Sequence, residues 1–217
     1  MVKKIILCVV AAIIFFGAYV FVLVNKAGMI SVGKPIDAYS DAKSALVIID
    51  MQRDLTEKTG KMPINPAMSD AIINNLNMIM EKNRKLTVVY VSHEFEGVLG
   101  LLAGGALRHG KPGTEIDPRI KIVSANRFTK HISDSFSNPA FGEFLVKNHI
   151  NHLYIAGLDA RYCVNKTVRA ALNRKYKVTV LYDAIGSATP QYVDQALTEF
   201  NKIDVELVKS EKAIAAK

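Results

Sequence analysis

Three residues of this chain have the side chains needed for acyl transfer: a cysteine, a lysine and an aspartate. Cys163 follows the apolar run Leu153–Ala156 and lies at the start of a segment with helical periodicity. Asp50 ends the apolar run Ala45–Ile49, and Lys130 lies in a polar segment between the two runs. A helix start and a lysine cation both favour a thiolate, and a carboxylate can accept the thiol proton. The set predicts nucleophilic attack on a carbonyl through a thioester.

These residues need a fold that brings them together, and the pattern along the chain predicts one. Strands are predicted at residues 45–49, 86–92, 121–124, 153–156, 177–182 and 204–208. Helices are predicted at residues 66–84, after Pro139, and at 162–175 and 191–201. This alternation predicts an α/β fold in which a central, mostly parallel sheet forms the middle of three αβα layers. The carboxyl ends of such strands form the crevice where ligands bind.

An apolar run near the amino terminus predicts a membrane-spanning helix. Ile5–Val24 contains 20 residues with neither charge nor proline, and Lys3, Lys4 and Lys26 flank it. About 20 helical residues span roughly 30 Å, the thickness of the hydrocarbon core of a bilayer. The alternative is a cleaved signal peptide, whose apolar region is usually about 7–15 residues long.

This run divides the chain into four expected parts. Residues 1–4 are a cytoplasmic amino terminus, 5–24 a transmembrane anchor, 25–43 a stalk, and 44–217 one globular domain. The basic residues are concentrated before the run and spread out after it. The positive-inside tendency therefore places the amino terminus in the cytoplasm and the domain outside it. The expected localisation is that of a single-pass membrane protein.

Charge and cysteine content narrow the possible partners. The formal net charge is +8, but the basic residues are dispersed and no aromatic–basic motif accompanies them. We therefore expect no nucleic-acid partner, and interpret the charge as solvated surface and as attraction to anionic headgroups beside the anchor. Cys8 lies in the apolar run and Cys163 in the domain, so no internal disulfide is expected.

The connection between Ser92 and Pro118 is unusually long for a compact domain. It contains six glycines and the apolar stretch Val98–Leu102. Long connections of this kind often form lids or binding loops. We interpret it as lining a pocket or contacting a second subunit; a flexible excursion and a patch that packs on the membrane are the alternatives.

The ordered motifs resemble those of the isochorismatase-like cysteine hydrolases, a family that includes nicotinamidases, carbamoylsarcosine amidases and ureidoacrylate amidases. The resemblance covers residues 44–208. It rests on Val47–Asp54, on Lys130 with Asp134–Phe136, and on Gly157–Val164 with Thr167 and Ala170–Ala171.

The resemblance implies a role for each residue of the candidate triad. Cys163 matches the nucleophile, Asp50 the general base and Lys130 the cation that stabilises the thiolate. It also implies a cis peptide bond between Leu158 and Asp159, which would direct the backbone amides of Asp159 and Cys163 at a developing oxyanion. The family often forms dimers or tetramers, so a homo-oligomer is expected.

The sequence departs from the metal-binding members of this family. Nicotinamidases hold a metal through an Asp-x-His arrangement after the second strand, where this chain has His93 and Glu94 at a different spacing. A zinc site needs three or four convergent ligands. We therefore expect no metal and no other cofactor, and interpret all the histidines as surface or loop residues: His93, His109, His131, His149 and His152.

The substrate is expected to be a small amide or ureido compound. Phe136 and Tyr162 are candidates for shaping its pocket, although ordinary packing explains Tyr162 equally well. Arg161 is a candidate contact for a substrate carboxylate, and simple exposure is the alternative. The predicted protein is a membrane-anchored cysteine hydrolase that cleaves a C–N bond. Two alternatives stay open: an inactive binding or scaffold module, and a redox role for the thiolate, which lacks a resolving cysteine in the domain.

Overall fold

A six-stranded parallel sheet forms the centre of the computed structural model, which describes residues 1–215. The strands are β1 (Lys43–Ile49), β2 (Thr87–His93), β3 (Arg127–Lys130), β4 (Ile150–Leu158), β5 (Lys177–Gly186) and β6 (Glu206–Val208). Their order across the sheet is β3-β2-β1-β4-β5-β6, and every neighbouring pair is parallel. The carboxyl ends of β1, β2, β3 and β4 therefore lie together at one edge.

Helices cover both faces of the sheet, which confirms the predicted three-layer α/β fold. The α-helices are α1 (Val2–Ala27), α2 (Arg53–Thr56), α3 (Pro66–Lys82), α4 (Gly97–Leu102), α5 (Pro139–Lys147), α6 (Asn165–Asn173), α7 (Pro190–Phe200) and α8 (Ser210–Ala215). Short 3₁₀ turns at Pro112–Thr114 and Ser135–Ser137 and a π-helical turn at Ala160–Val164 complete the described elements.

Strand β1 contributes to both hydrophobic cores because its side chains alternate between the two faces of the sheet. Val47 and Ile49 point into the core beneath α5, α6 and α7, whereas Leu46 and Ile48 point into the core beneath α3. All four side chains are buried. Burial of an aliphatic side chain of this size contributes about 1.5–3 kcal/mol, so both layers hold β1 firmly in place.

Local sequence signals fix where the covering helices begin. Asn65 caps α3 by accepting a hydrogen bond from the Ala67 amide at 2.9 Å, and Pro66 occupies the first turn. Asn138 and Pro139 repeat this arrangement at the start of α5. A capping asparagine satisfies free amides, and proline at the first helical position loses no hydrogen bond.

The third strand lies later in the sequence than the apolar run at 121–124 predicts. Residues 121–126 follow the edge of β2 through side-chain bonds: Tyr90 donates to the Lys121 carbonyl at 2.9 Å, and Ser124 donates to the Val88 carbonyl at 2.7 Å. The regular ladder begins at Arg127. The prediction failed because side-chain bonds replace the backbone ladder over the apolar segment.

The amino-terminal helix α1 is long and apolar enough to cross a membrane, with a mean hydropathy of 3.0, and a signal sequence near a chain start has the same features. The segment after it does not hang free. The Ile36 amide donates to the Arg174 carbonyl at 2.9 Å, and the Ser133 amide donates to the Ala27 carbonyl at 2.9 Å. The segment that we expected to be a stalk is therefore docked on the domain.

Gly157 allows β4 to approach β1 closely just before the cysteine turn. Its φ is +111°, and a Cβ at this position would overlap the backbone oxygen of Ile49. We expect Gly157→Ala to destabilise the protein by about 2–4 kcal/mol, from backbone strain together with the forced separation of the two strands. Denaturant unfolding of the detergent-solubilised full chain measures this loss.

Gly104→Ala is the matched control, because Gly104 also has a positive φ, of +63°, but no other atom lies within 4 Å of the point that a Cβ would occupy there. We expect it to cost about 1 kcal/mol from conformational strain alone. Equal costs for the two variants would show that the close approach to Ile49 has no energetic weight.

Candidate active site

The ammonium group of Lys130 is the centre of a buried polar cluster at the carboxyl edge of the sheet. Its Nζ donates to Asp50 Oδ2 at 2.8 Å and to Cys163 Sγ at 3.1 Å, and lies 2.9 Å from His93 Nδ1. None of the four side chains is more than 9% exposed. The structure thus brings together the aspartate, lysine and cysteine predicted from the sequence, and adds a histidine.

The ends of three neighbouring strands supply three of the four members of this cluster. Asp50 follows β1 directly with a φ of +54°, and its amide donates to the Val91 carbonyl of β2 at 2.8 Å. His93 and Lys130 end β2 and β3 and are paired in register. The strand ends therefore bring the carboxylate, the imidazole and the ammonium to one place.

Gln52 holds the strand that carries His93. The Gln52 side chain donates to the His93 carbonyl and accepts from the His93 amide, both at 2.8 Å. It also donates to the Thr114 carbonyl at 2.9 Å. Because Gln52 is fully buried, these amide contacts replace the backbone pairing that ends with β1 and fix the end of β2.

The cysteine arrives from β4 through a tightly held turn. The peptide bond between Leu158 and Asp159 is cis, where the resemblance implies it. The Asp159 side chain accepts from the Arg161 amide at 2.8 Å and from the Ser187 hydroxyl at 2.6 Å. Cys163 lies in the π-helical turn that precedes α6, and not in the first turn of the α-helix as its sequence pattern predicts.

Burial opposes a negative charge on both Asp50 and Cys163. It raises the pKa of the Asp50 carboxyl, and it raises the pKa of the Cys163 thiol to about 12, with the Asp50 carboxylate adding to the latter rise. The Lys130 ammonium counteracts both shifts. One ammonium balances only one of the two negative charges, so the two groups titrate as a coupled pair.

The raised pKa of Cys163 keeps its thiol neutral, and the 2.8 Å bond from Lys130 pairs the ammonium with the Asp50 carboxylate in the resting cluster. This differs from the expectation that Lys130 would depress the pKa of Cys163, because burial and the Asp50 carboxylate outweigh the lysine. Asp50 Oδ1 is buried and has no hydrogen-bond partner among the described residues. That oxygen is available to accept the thiol proton.

His93 is neutral in the folded protein. Burial, followed by the charge of Lys130, lowers its pKa to about 2. Its Nδ1 faces an ammonium and must accept the hydrogen bond, so the ring proton lies on Nε2. Nε2 is buried and without a hydrogen-bond partner in the part of the chain that the structure describes.

The sequence interpretation of His93 as a surface or loop residue was wrong, since the side chain is only 4% exposed. The sequence did contain one signal that His93 could belong to the site. His93 follows a predicted strand at its carboxyl end, where the site was expected. Its contact with Lys130 depends on the pairing register of β2 and β3. That register could not be derived because β3 itself was misplaced in the prediction.

Asp50, His93 and Cys163 form a group whose ligand atoms lie within 4.8 Å of one another, the spacing of a possible metal site. The residues do not fit a metal, because Lys130 Nζ lies within 3.1 Å of an atom of each of them. The ammonium takes the position that a metal ion would need, and it supplies the positive charge of the cluster itself.

The predicted pocket residues differ in how deeply they are buried. Phe136 is buried in the core, where its ring contacts Phe141 and carries the Arg174 guanidinium 4.5 Å from its centroid. Tyr162 is 54% exposed. Arg161 lies on the Tyr192 ring at 4.0 Å from the centroid, next to α7. Phe136 is therefore a core side chain, and Arg161 is already engaged by an aromatic ring.

Segment 93–118 is fixed to the residues that follow β1. The Leu107 amide donates to Asp54 Oδ2 at 2.7 Å, and the Asp117 amide donates to the Met51 carbonyl at 2.9 Å. The Phe95 ring lies against the His93 ring, with centroids 4.5 Å apart. The start of this segment thus covers one side of the cluster.

The coupled titration predicts the effect of removing the carboxylate. In Asp50→Asn, Cys163 is left as the group that balances Lys130, so we expect the thiol pKa to fall from about 12 towards the free-cysteine value of about 8.5, with burial still opposing the thiolate. The pH dependence of iodoacetamide labelling in a Cys8→Ser background measures it. Asp134→Asn, which changes another buried carboxyl, is the control and should leave the profile unchanged. A pKa that stays near 12 in Asp50→Asn would contradict the coupling.

The neutral state of His93 predicts a loss of stability in acid. The unfolded chain binds a proton at His93 near pH 6.5 and the folded chain does not, so stability falls as the pH drops below the unfolded pKa. This one group accounts for about 2 kcal/mol between about pH 7.5 and about pH 5. Unfolding of His93→Gln, measured over this range, should depend less on pH.

His109→Gln is the control, because protonation of His109 stabilises the folded protein, whereas protonation of His93 would destabilise it. The Glu94 carboxylate raises the pKa of the exposed His109, so its contribution is present at low pH and is lost as the pH rises. Its removal should not reduce the loss of stability in acid. An unchanged pH dependence in His93→Gln would show that His93 is not held neutral.

Comparison with known proteins identifies the family. The isochorismatase domain model matches residues 44–212. A secreted isochorismatase effector from Verticillium dahliae is 30% identical over 166 residues, which cover 76% of this chain and 83% of that protein. An isochorismatase-like hydrolase from Alkaliphilus metalliredigens has a TM-score of 0.72 at 21% identity, over 81% of this chain and 99% of that one.

The N-carbamoylsarcosine amidase from Thermoplasma acidophilum has a TM-score of 0.65 at 25% identity, over 78% of this chain and 97% of that one. The domain match, the sequence relative and the shared sheet agree with one another. The chain therefore belongs to the isochorismatase family and has the fold of its hydrolases.

Proposed function

We propose that this protein is a cysteine hydrolase that cleaves the C–N bond of a small amide or ureido substrate, held at a membrane by its amino-terminal helix. The observation that carries the proposal is the position of Lys130, whose ammonium bonds to both Asp50 and Cys163. This arrangement keeps a base and a nucleophile together around one fixed positive charge.

The first step moves a proton inside the cluster. Asp50 accepts the thiol proton of Cys163, and the negative charge passes from the carboxylate to the sulfur. The net charge of the buried cluster does not change, because the proton stays within it. Lys130 contacts both the Asp50 carboxylate and the Cys163 sulfur, so the ammonium stabilises the negative charge before and after the transfer. The thiolate then attacks the carbonyl carbon and a C–S bond forms. The backbone amides of Asp159 and Cys163 are the groups assigned to the developing oxyanion.

The second step releases the amine. The tetrahedral intermediate collapses, the C–N bond breaks, and the protonated Asp50 donates its proton to the leaving nitrogen. A water molecule then attacks the thioester with Asp50 as the base, and its proton returns to the sulfur through Asp50 as the C–S bond breaks. The carboxylate and the thiol are thereby restored. Each step uses one carboxyl group alternately as base and acid.

His93 has a positioning role in this proposal. As a neutral acceptor 2.9 Å from Lys130 Nζ, it occupies the third donor of the ammonium without adding charge. The other two donors then point at Asp50 and Cys163. A protonated imidazole would repel the ammonium, so the burial that lowers the His93 pKa also protects the geometry of the triad.

The choice of an amide or ureido substrate is supported by the nucleophilic cysteine and by the fold relationship to an N-carbamoylsarcosine amidase. The anchor is supported by α1, whose apolar residues are exposed along its length. We place the amino terminus in the cytoplasm and the domain on the other side, on the basis of the flanking lysines. A homo-oligomer remains a prediction.

Hydrolysis by the full chain in detergent tests the reaction, with ammonia release from a panel of small primary amides, N-carbamoyl amino acids and ureido acids. We expect Cys163→Ser and Asp50→Asn each to lower kcat/KM by a factor of about 10³ or more. A substrate of the wild type should leave a mass increment on Cys163 that matches its acyl group after rapid acid quenching.

Tyr182→Phe is the control, because this exposed tyrosine lies on β5, outside the cluster and not among the candidate pocket residues. It should retain hydrolysis within about tenfold. Turnover that survives Cys163→Ser would refute the thioester mechanism. No turnover of any compound, together with a thiol that stays unreactive in Asp50→Asn, would favour the scaffold alternative.

A further inference from the structure

The end of the membrane helix lies at the same edge of the domain as the reactive cluster. The Ser133 amide, three residues after Lys130, donates to the Ala27 carbonyl at the last residue of α1. Helix α1 also packs against α4, and Val20 and Leu23 are partly covered in the last turns of α1. The anchor therefore approaches the domain at the carboxyl edge of the sheet.

Helix α4 exposes apolar side chains next to this anchor. Leu101 is 71% exposed and Leu102 is 60% exposed, so the rest of the described chain leaves both side chains largely uncovered. Phe95, just before α4, contacts the His93 ring, so the apolar tip and the cluster are connected by a few residues. We call Gly97–Leu102 together with Arg108–Lys111 the α4 surface.

The charges on the α4 surface favour an anionic bilayer. Arg108 and Lys111 are exposed basic residues, and Lys26 lies exposed at the end of α1. The acidic side chains nearby are paired: Glu94 with His109 at 2.5 Å, and Glu96 with His131 at 3.6 Å. Exposed leucines next to basic side chains are typical of segments that lie in the headgroup region of a membrane.

We infer that the α4 surface inserts into the headgroup region of the bilayer and seats the active-site edge of the domain on the membrane, so that the substrate is an amide or ureido compound held at the bilayer surface. The inference rests on the proposed anchor and the proposed hydrolase. It adds the orientation of the domain and the class of substrate: an amphiphile with its C–N bond near its polar end.

A cavity of about 610 Å³ lies on the α4 surface and offers room for part of an amphiphile. Phe95, Val98, Leu101 and Arg108 are among the residues that line it. Phe95, at one end of this lining, contacts the His93 ring, although none of the four cluster residues lines the cavity itself. An acyl chain suits the apolar wall of this groove, and Arg108 suits an anionic or carbonyl group at the water side.

A fluorescent probe at residue 101 tests the orientation. The full chain with Cys8→Ser, Cys163→Ser and Leu101→Cys is labelled with a nitrobenzoxadiazole dye and placed in vesicles of phosphatidylcholine and phosphatidylglycerol in equal parts. We expect a blue-shifted emission that lipids with a spin label near the headgroup quench. The Lys85→Cys control, which places the dye just before β2 at the opposite edge, should show neither effect.

Other occupants of the α4 surface give different results. If the dye at residue 101 shows the same emission and the same lack of quenching as the dye at residue 85, the inference is wrong. Disulfide crosslinking between two copies of the Leu101→Cys protein, without quenching by lipid, would assign the surface to a second copy and would also overturn it. Resistance to carbonate extraction, measured in parallel, tests the anchor by itself.

The substrate class is tested by comparing two amides in the same vesicles, one with a long acyl chain and one short and water-soluble. Leu101→Gln with Leu102→Gln should lower kcat/KM at least tenfold for the long amide and leave the short amide unchanged. Equal losses for both amides would overturn the substrate assignment. Hydrolysis of neither amide by the wild type would count against the proposed reaction, while the dye still decides the orientation.

Discussion

A buried ammonium ion is the constraint around which this structure is organised. Lys130 is almost inaccessible to water, and a charge in such a place is stable only if neighbouring groups replace its hydration. Asp50, Cys163 and His93 supply that replacement from three different parts of the chain. The strand order, which places β1 between β2 and β4, is what allows them to do so.

The same constraint explains why the site is chemically balanced. Removing any one partner would leave a buried charge or a buried donor without compensation, so the cluster tolerates movement of a proton better than loss of a group. The Asp50 and Cys163 pair shares one negative charge opposite Lys130. A neutral histidine completes the shell and adds no charge of its own. A site of this kind can alternate between two charge distributions while its surroundings remain fixed.

The sequence predicted those site residues that directly follow continuous apolar strands. Asp50 and Cys163 follow such strands, and the carboxyl ends of parallel strands meet at one edge. His93 escaped prediction because its burial depends on the register between β2 and β3 and on Gln52, which binds its backbone from another strand end. Strand β3 was misplaced because it is a short edge strand with polar residues. The burial of Phe136 beneath Arg174 could not be derived from the sequence pattern, because tertiary contacts set it.

The segment between α1 and β1 has a mechanical consequence. Ser31 donates to the buried Asp134 carboxylate through both its amide and its hydroxyl, and Arg174 donates to the Ser31 carbonyl and hydroxyl. Asp134 also caps the turn that follows Lys130. A soluble fragment that begins at β1 would lack these donors and leave a carboxylate buried without them. Force or displacement applied to the segment before β1 would, for the same reason, reach the turn that follows Lys130.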